Sequence, residues 1–318
     1  MTSNPTTTPL SSTINFPTGD TRANNVTVPL SAAGNLSAVF KAGSGKKVHI
    51  IFDVTGYFLA DDSGATFTTL TPTRALDTRN GTGLGGDFFT DVHRTLPVAG
   101  PTPGLGIPDT ATAITGNLAI VGPSKAGYAA VTKDPTDAPT TATINFPAGA
   151  IRANGVFAPL DVDGALSIVY KASPGGHTDM VLDITGYFEP GTGGLRFVPL
   201  NPSRIMDSRS AVLSGITGAF TSGSPKTLDV QGHWGVPTDA QAVTGNLSVT
   251  AQTGAGYVSA TPDPTPTPAT ATINFPLGDT IGNGIVAPLN GSGQTSFVYK
   301  SGTGKKVQLI LDLSGYFQ

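Results

Sequence analysis

The phrase Thr-Ile-Asn-Phe-Pro occurs three times, at Thr13–Pro17, Thr143–Pro147 and Thr272–Pro276. Ala75-Leu76-Asp77-Thr78-Arg79 has a single counterpart, Ile205-Met206-Asp207-Ser208-Arg209. Internal repetition constrains the fold strongly, because each copy must build the same supersecondary unit. Residues 1–58 align without a gap on 131–188, and 131–188 align on 260–317. Arg22-Ala23-Asn24 falls on Arg152-Ala153-Asn154, with Asn283 in the same place. Every copy closes on Gly-Tyr-Phe, ending at Phe58, Phe188 and Phe317. The remaining half occurs twice. Phe67–Arg79 falls on Phe197–Arg209, Gly116-Asn117-Leu118 on Gly245-Asn246-Leu247, and Gly127-Tyr128 on Gly256-Tyr257. The unit is therefore about 130 residues long, with a front half (66–130 and 196–259) and a back half. The chain reads as a half repeat (1–58) followed by full repeats at 66–188 and 196–317. Met1 aligns with Val131, a strand-like position inside a unit, so the reading expects the natural chain to extend upstream.

Within one unit the apolar residues run in short bursts between turn signals, with little helical periodicity. The middle copy predicts strands near 66–70, 93–98, 111–121, 127–132, 141–146, 155–160, 165–171 and 180–184. Gly122-Pro123, Asp134-Pro135, Asp163-Gly164 and Pro174-Gly175-Gly176 separate them. Short strands at this spacing predict an all-β chain of tandem β-sandwich or barrel-like repeats. The last strand is almost wholly apolar, as for a central strand buried on both faces. The linkers 59–65 and 189–195 are short, which predicts a fairly stiff rod of units.

Composition excludes several functions. Charged residues make up 12% and hydrophobic ones 38%, which argues against disorder. A net charge of −3 offers no basic surface for nucleic acid or anionic lipid. No apolar run approaches the roughly 18 residues of a membrane helix, so no membrane insertion is expected. With no cysteine there is neither a disulfide nor a thiolate metal site. The segment Met1–Leu10 lacks the pattern of a signal peptide.

The string of motifs resembles a repeat of secreted or surface-anchored proteins from actinobacteria and related phyla. That pattern runs P-x-R-x-L-D-T-R, G-V-P, N-x-T-V, A-G-Y, N-F-x-x-G, N, P-L and D-V-x-G-Y-F. Here it is carried by Pro72, Arg74, Leu76, Asp77, Thr78 and Arg79; Gly106-Ile107-Pro108; Asn117; Ala126-Gly127-Tyr128; Asn145-Phe146; Asn154; Pro159-Leu160; and Asp183–Phe188. The resemblance covers the whole chain, with Met206 and Ser208 as variants in the last copy. It implies an exported, β-rich, non-catalytic repeat, extracellular or at the cell surface and often appended to secreted or cell-wall hydrolases. Many relatives carry cysteine in the back half; this chain carries none.

The recurring ionisable set is small: Arg74, Asp77, Arg79 and Arg204, Asp207, Arg209 in the front halves, and Asp53, Asp183 and Asp312 before Gly-Tyr-Phe. These groups could line a sugar-gripping cleft or form a buried polar latch. The latch is preferred, because an unpaired carboxylate inside an apolar strand is too costly. Asp77 and Arg79, two apart on a strand, would share a face. Asp53 then has no front half of its own to supply an arginine. Lys41, Lys171 and Lys300 recur at one position, which raises the weaker possibility of lysine–asparagine crosslinks. Asp161-Val162-Asp163-Gly164 lacks the acid that a calcium loop needs twelve positions in, where Ala172 stands, and reads as a turn. Gly43–Lys46 also reads as a turn. His49, His93, His177 and His233 share no repeat position, which argues against zinc. No catalytic set recurs, and no cofactor is expected.

Two readings of function follow. One is a non-catalytic structural or adhesive repeat protein that self-associates through the open half repeat or binds other surface proteins. The alternative is a carbohydrate- or cell-wall-binding array whose first ligand-contacting residues would be Tyr57, Tyr187, Tyr316, Asn24, Asn154 and Asn283.

Overall fold

The computed structural model describes every residue except Asp62, Thr102, Pro103 and Ala211; the linker 59–65 thus lies outside the described residues at Asp62. The two full repeats fold alike. In the first, the strands are β1 (Thr66–Asp77), β2 (Phe88–Phe89), β3 (His93–Pro97), β4 (Ala113–Val121), β5 (Gly127–Thr132), β6 (Ile144–Phe146), β7 (Ile151–Pro159), β8 (Ala165–Ala172) and β9 (His177–Glu189). In the second they are β10 (Phe197–Asp207), β11 (Phe220–Thr221), β12 (Lys226–Asp229), β13 (Ala242–Thr250), β14 (Gly256–Thr261), β15 (Ile273–Phe275), β16 (Ile281–Pro288), β17 (Gln294–Lys300) and β18 (Lys306–Phe317). Each repeat is an antiparallel two-sheet sandwich. One sheet runs β1-β9-β4-β7 and the other β3-β8-β5-β6, matched by β10-β18-β13-β16 and β12-β17-β14-β15. The fold is all-β.

Alternation fills the space between the sheets. Leu76, Leu118, Ile120, Leu182 and Ile184 from the first sheet meet Ala129, Ile144, Leu166, Ile168 and Tyr170 from the second. The central strand β9 belongs to the back half, yet the strands it pairs with, β1, β2 and β4, all belong to the front half. A back half alone therefore cannot complete its own main sheet.

Residues 1–58 show the consequence. Among the described residues of this segment no strand forms, and the sole ladder contact is the bridge Thr2↔Ser37. That bridge repeats the β5–β8 pairing Thr132↔Ser167 and the β14–β17 pairing Thr261↔Ser296. Phe16 stacks on Phe40 at 6.0 Å, as Phe146 does on Tyr170 and Phe275 on Tyr299 at 5.7 Å. The segment thus keeps the register of its copies without their ladders. It is not a finished terminal sheet layer. Its last stretch, 48–59, is exposed throughout.

The rod is corrected. The three back halves meet around a pseudo-threefold axis instead of following one another in line. Phe58, Phe188 and Phe317 form a triangle with ring centroids 5.9, 6.0 and 6.4 Å apart. Phe67 and Phe197 pack into it, with centroids 4.4 Å from Phe317 and Phe58 respectively. Short linkers permit this because each unit ends on an apolar aromatic that gains by burial against its copies. Replacing Phe188 by alanine empties the centre of this cluster. The expected cost is about 3–5 kcal/mol, read as a lower urea midpoint.

Candidate functional site

Most of the recurring polar residues converge where the repeats touch. A β-bulge directs the first of them. In β1 the register slips between Thr69 and Thr73 and again between Arg74 and Leu76; β10 slips at the equivalent places. The second slip lets Leu76 enter the core opposite Leu182 while Arg74 stays on the outer face opposite Asp183. Pro72 stands within the first slip, where the ladder is already interrupted.

Arg74 Nε donates to Asp183 Oδ1 at 2.6 Å, and its Nη1 donates to Asp77 Oδ2 at 2.9 Å. Asp183 Oδ2 also accepts the backbone N–H of Ala271, in the next back half, at 3.1 Å. The second repeat does the same. Arg204 Nε donates to Asp312 Oδ1 at 2.9 Å, and Asp312 Oδ2 accepts Ser12 N–H at 3.1 Å. Each carboxylate thus clamps an arginine of its own front half to the backbone of another back half, the third for Asp183 and the first for Asp312. Asp53 is exposed and meets no arginine among the described residues.

Arg79 and Arg209 hold Asp77 and Asp207 bidentately, with N–O distances of 2.6–2.8 Å. The strands end at Asp77 and Asp207, so each arginine grips from the turn beyond and not from a shared strand face. The turn supplies the approach that the strand geometry would not.

The asparagines form a ring. Asn24 Oδ1 accepts Gly284 N–H at 2.7 Å, Asn154 Oδ1 accepts Asn25 N–H at 2.8 Å, and Asn283 Oδ1 accepts Gly155 N–H at 2.7 Å. Each amide also donates back to its own copy, to Thr13, Thr143 and Thr272 carbonyls. A second donation goes to a front half: Asn283 to Asn117 Oδ1 and Asn24 to Asn246 Oδ1, both at 2.8 Å. Asn154 has no such partner among the described residues. Tyr187 and Tyr316 are 9% and 8% exposed, against 81% for Tyr57. Tyr187, Tyr316, Asn154 and Asn283 are therefore buried away from any solvent ligand, Asn24 is half-buried, and Tyr57 is open where its copy lacks a front half.

The lysines tie loops down. Lys41, Lys171 and Lys300 donate to the carbonyls of Thr7, Asp137 and Pro266, with Lys171 also paired to Asp91. None of these contacts is to an asparagine. Asp161 Oδ1 accepts the N–H groups of Asp163 and Ala165, an Asx-type turn. His93 and His177 pair with Asp137 and Asp87. Among the described residues no three potential metal ligands cluster. A shallow pocket of about 390 Å³ lies between the repeats, lined by Thr69, Thr71, Asp263, Asn290 and Ser292 among others, and no aromatic side chain lines it. The ring and the clamps' backbone partners, Ala271 and Ser12, were missed from sequence, because alignment places copies in register without stating how they are rotated in space.

No protein-family profile and no curated protein matches the chain. Among solved structures it is similar to the N-terminal CBM22-1-CBM22-2 tandem domain of Paenibacillus barcinonensis Xyn10C, at 9% identity and a TM-score of 0.21, covering 80% of this chain and 99% of that one. It is also similar to the Macrobrachium rosenbergii nodavirus structure, at 9% identity and a TM-score of 0.22, covering 86% and 97%. The Sulfolobus turreted icosahedral virus structure gives 10%, 0.18, 84% and 99%.

Asp77 and Asp207 are held below the usual carboxylate range, chiefly by the Arg79 and Arg209 hydrogen bonds. Asp183 runs the other way, since burial pushes it up against the pull of Arg74. A depressed carboxylate contributes stability present above its unfolded pKa and lost as pH falls through its native one. A raised one weighs against stability as pH rises through its native value. Lowering the pH from about 5 to below 4 is therefore expected to reduce the urea midpoint through Asp77 and Asp207. The Asp77→Asn/Asp207→Asn double variant, weaker at neutral pH, should lose less over that interval. Arg74→Ala strands the buried Asp183 carboxylate and should cost about 3–5 kcal/mol. Asp53→Asn should stay within about 0.5 kcal/mol. Denaturation of both single variants at pH 7 measures the contrast.

Proposed function

We propose that this chain is a non-catalytic structural and adhesive repeat protein, extracellular or at the cell surface, whose open first repeat is its contact surface. One observation carries the reading. The recurring asparagines and the carboxylates Asp183 and Asp312 are taken up in contacts between repeats. Arg74 and Asp183, Arg204 and Asp312, and the three asparagines all face another part of the same chain. A binding or catalytic array would be expected to present its recurring groups to solvent in each copy.

The family resemblance supports the location, and the absence of a recurring catalytic set supports a mechanical role. Contacts with other surface proteins are favoured over contact with glycan, because no aromatic platform lines the pocket between repeats. The test is calorimetric titration of the full chain with xylo-, cello- and chito-oligosaccharides. No measurable heat is expected at millimolar sugar. Saturable binding that disappears with Tyr57→Ala or Asp263→Ala would reverse the order of the two readings.

A further inference from the structure

In both complete units the strand ending in Gly-Tyr-Phe lies between two front-half strands, β1 and β4 or β10 and β13. In the first unit the equivalent stretch has neither neighbour. Ile51 is 87% exposed where its counterpart Val181 is 6% exposed, and Ile50, Phe52 and Val54 are exposed where Met180, Leu182 and Ile184 are fully buried. An extended apolar stretch in that state is an unfilled docking surface.

The shape and chemistry of the vacancy are specific. Gly186 is a glycine because the ring of Phe67 lies where a Cβ would sit, at 2.3 Å; Gly315 stands in the same relation to Phe197 at 2.2 Å. Gly56 keeps the glycine with nothing within 4 Å of that position and without the positive φ that would otherwise call for it. Asp53 offers a carboxylate where Asp183 and Asp312 take an arginine. Asn154 has a free amide hydrogen where Asn283 and Asn24 reach Asn117 and Asn246. The exposure of the second back half follows the same logic. Thr270, beside the backbone that Asn117 and Asp183 contact, is 4% exposed, while its counterpart Thr141 is exposed. These four features lie at the equivalent of one absent front half, spread over two different back halves.

We infer that the first repeat docks a front-half polypeptide from outside these 318 residues: a strand with phenylalanine seven positions before arginine, beside a strand carrying Gly-Asn-Leu. A second copy of the chain is disfavoured by stoichiometry. Each chain holds three back halves and two front halves, and both front halves are already seated in their own units. Exchange between copies moves the vacancy without filling it. The inference deepens the structural reading above by naming the chemistry of the partner.

The test joins an extra copy of residues 66–130 directly ahead of residue 1, reproducing the junction at 130–131, and follows amide hydrogen exchange. In the 318-residue chain residues 48–59 should exchange rapidly and the mass by light scattering should stay monomeric over a hundredfold concentration range. In the fusion those amides should slow by about a hundredfold or more. Gly56→Val should leave the 318-residue chain unchanged and abolish the new protection in the fusion. Replacing the arginine of the added copy that corresponds to Arg74 should weaken it. A fusion with 48–59 still unprotected, or one that aggregates or melts below the parent, overturns the inference. So does a parent chain whose mass doubles with 48–59 protected, because a second copy would then be the occupant. Sugar binding by a fusion that docks would remove the functional reading and leave this one standing; a fusion that fails, without sugar binding, would do the reverse.

Discussion

Three asparagine side chains hold together three backbones that cannot pair as a sheet. Where β7, β16 and the segment 21–29 meet around one axis, each presents edge N–H groups to the next, and a ladder can join two edges but not three. The side-chain amide solves this by accepting from one neighbour while donating to its own copy. Buried backbone donors must find partners, so the close approach of the copies depends on this ring. That approach is tight: a Cβ on Gly155 would lie 2.1 Å from the Gly284 carbonyl oxygen, and one on Gly284 would lie 2.2 Å from that of Asn25. The aromatic triangle and the carboxylate contacts to Ala271 and Ser12 join the same copies.

Because one chain carries all three copies, the interfaces are free to differ. Arg152 pairs with Asp20, and Arg22 with Asp279, each across one interface in the same rotational sense. The positions that would complete the cycle are Ile281 and Ala150. Both members changed together, so no lone buried charge remains, which would be the costly outcome. Asn25 similarly stands where the other copies have Gly155 and Gly284. A homotrimer of one back half could not separate its interfaces in this way.

The strands were legible in the sequence because their signal is local. Alternation and turn residues mark β4, β5 and β8 to within a residue or two, and the apolar run 180–184 marks the middle of β9. The two-residue β2 gave no signal, since so short an element has no period to read. The arginine–carboxylate latch was legible because burial of Asp183 demands a partner and few candidates recur. What alignment could not reveal is the rotation between copies. Residues 24, 154 and 283 align whether the units form a rod or close on an axis, and only the second arrangement lets each asparagine accept from a neighbouring copy. The position of Arg79 beyond the end of β1 was hidden for a related reason: two-residue periodicity holds only while the strand lasts.

The unequal count of halves now has a physical meaning. Back halves supply everything the axis needs: the asparagines, the terminal phenylalanines and the clamped carboxylates. Front halves supply the walls on either side of each central strand and one arginine per clamp. An axis built from three back halves is closed with two front halves present, because Asn24 and Phe58 still reach it from a copy that has no ladder of its own. The cost falls on residues 48–59, which keep the apolar pattern of a buried strand while lying in water. Such a stretch would normally be guarded by charge, proline or a bulge, and here the sole acid within it is Asp53. This unguarded apolar stretch is tied down at its end, where Phe58 packs among Phe188, Phe197 and Phe317. That anchor meets part of the ordering cost a matching pair of strands would otherwise have to supply when they add to it.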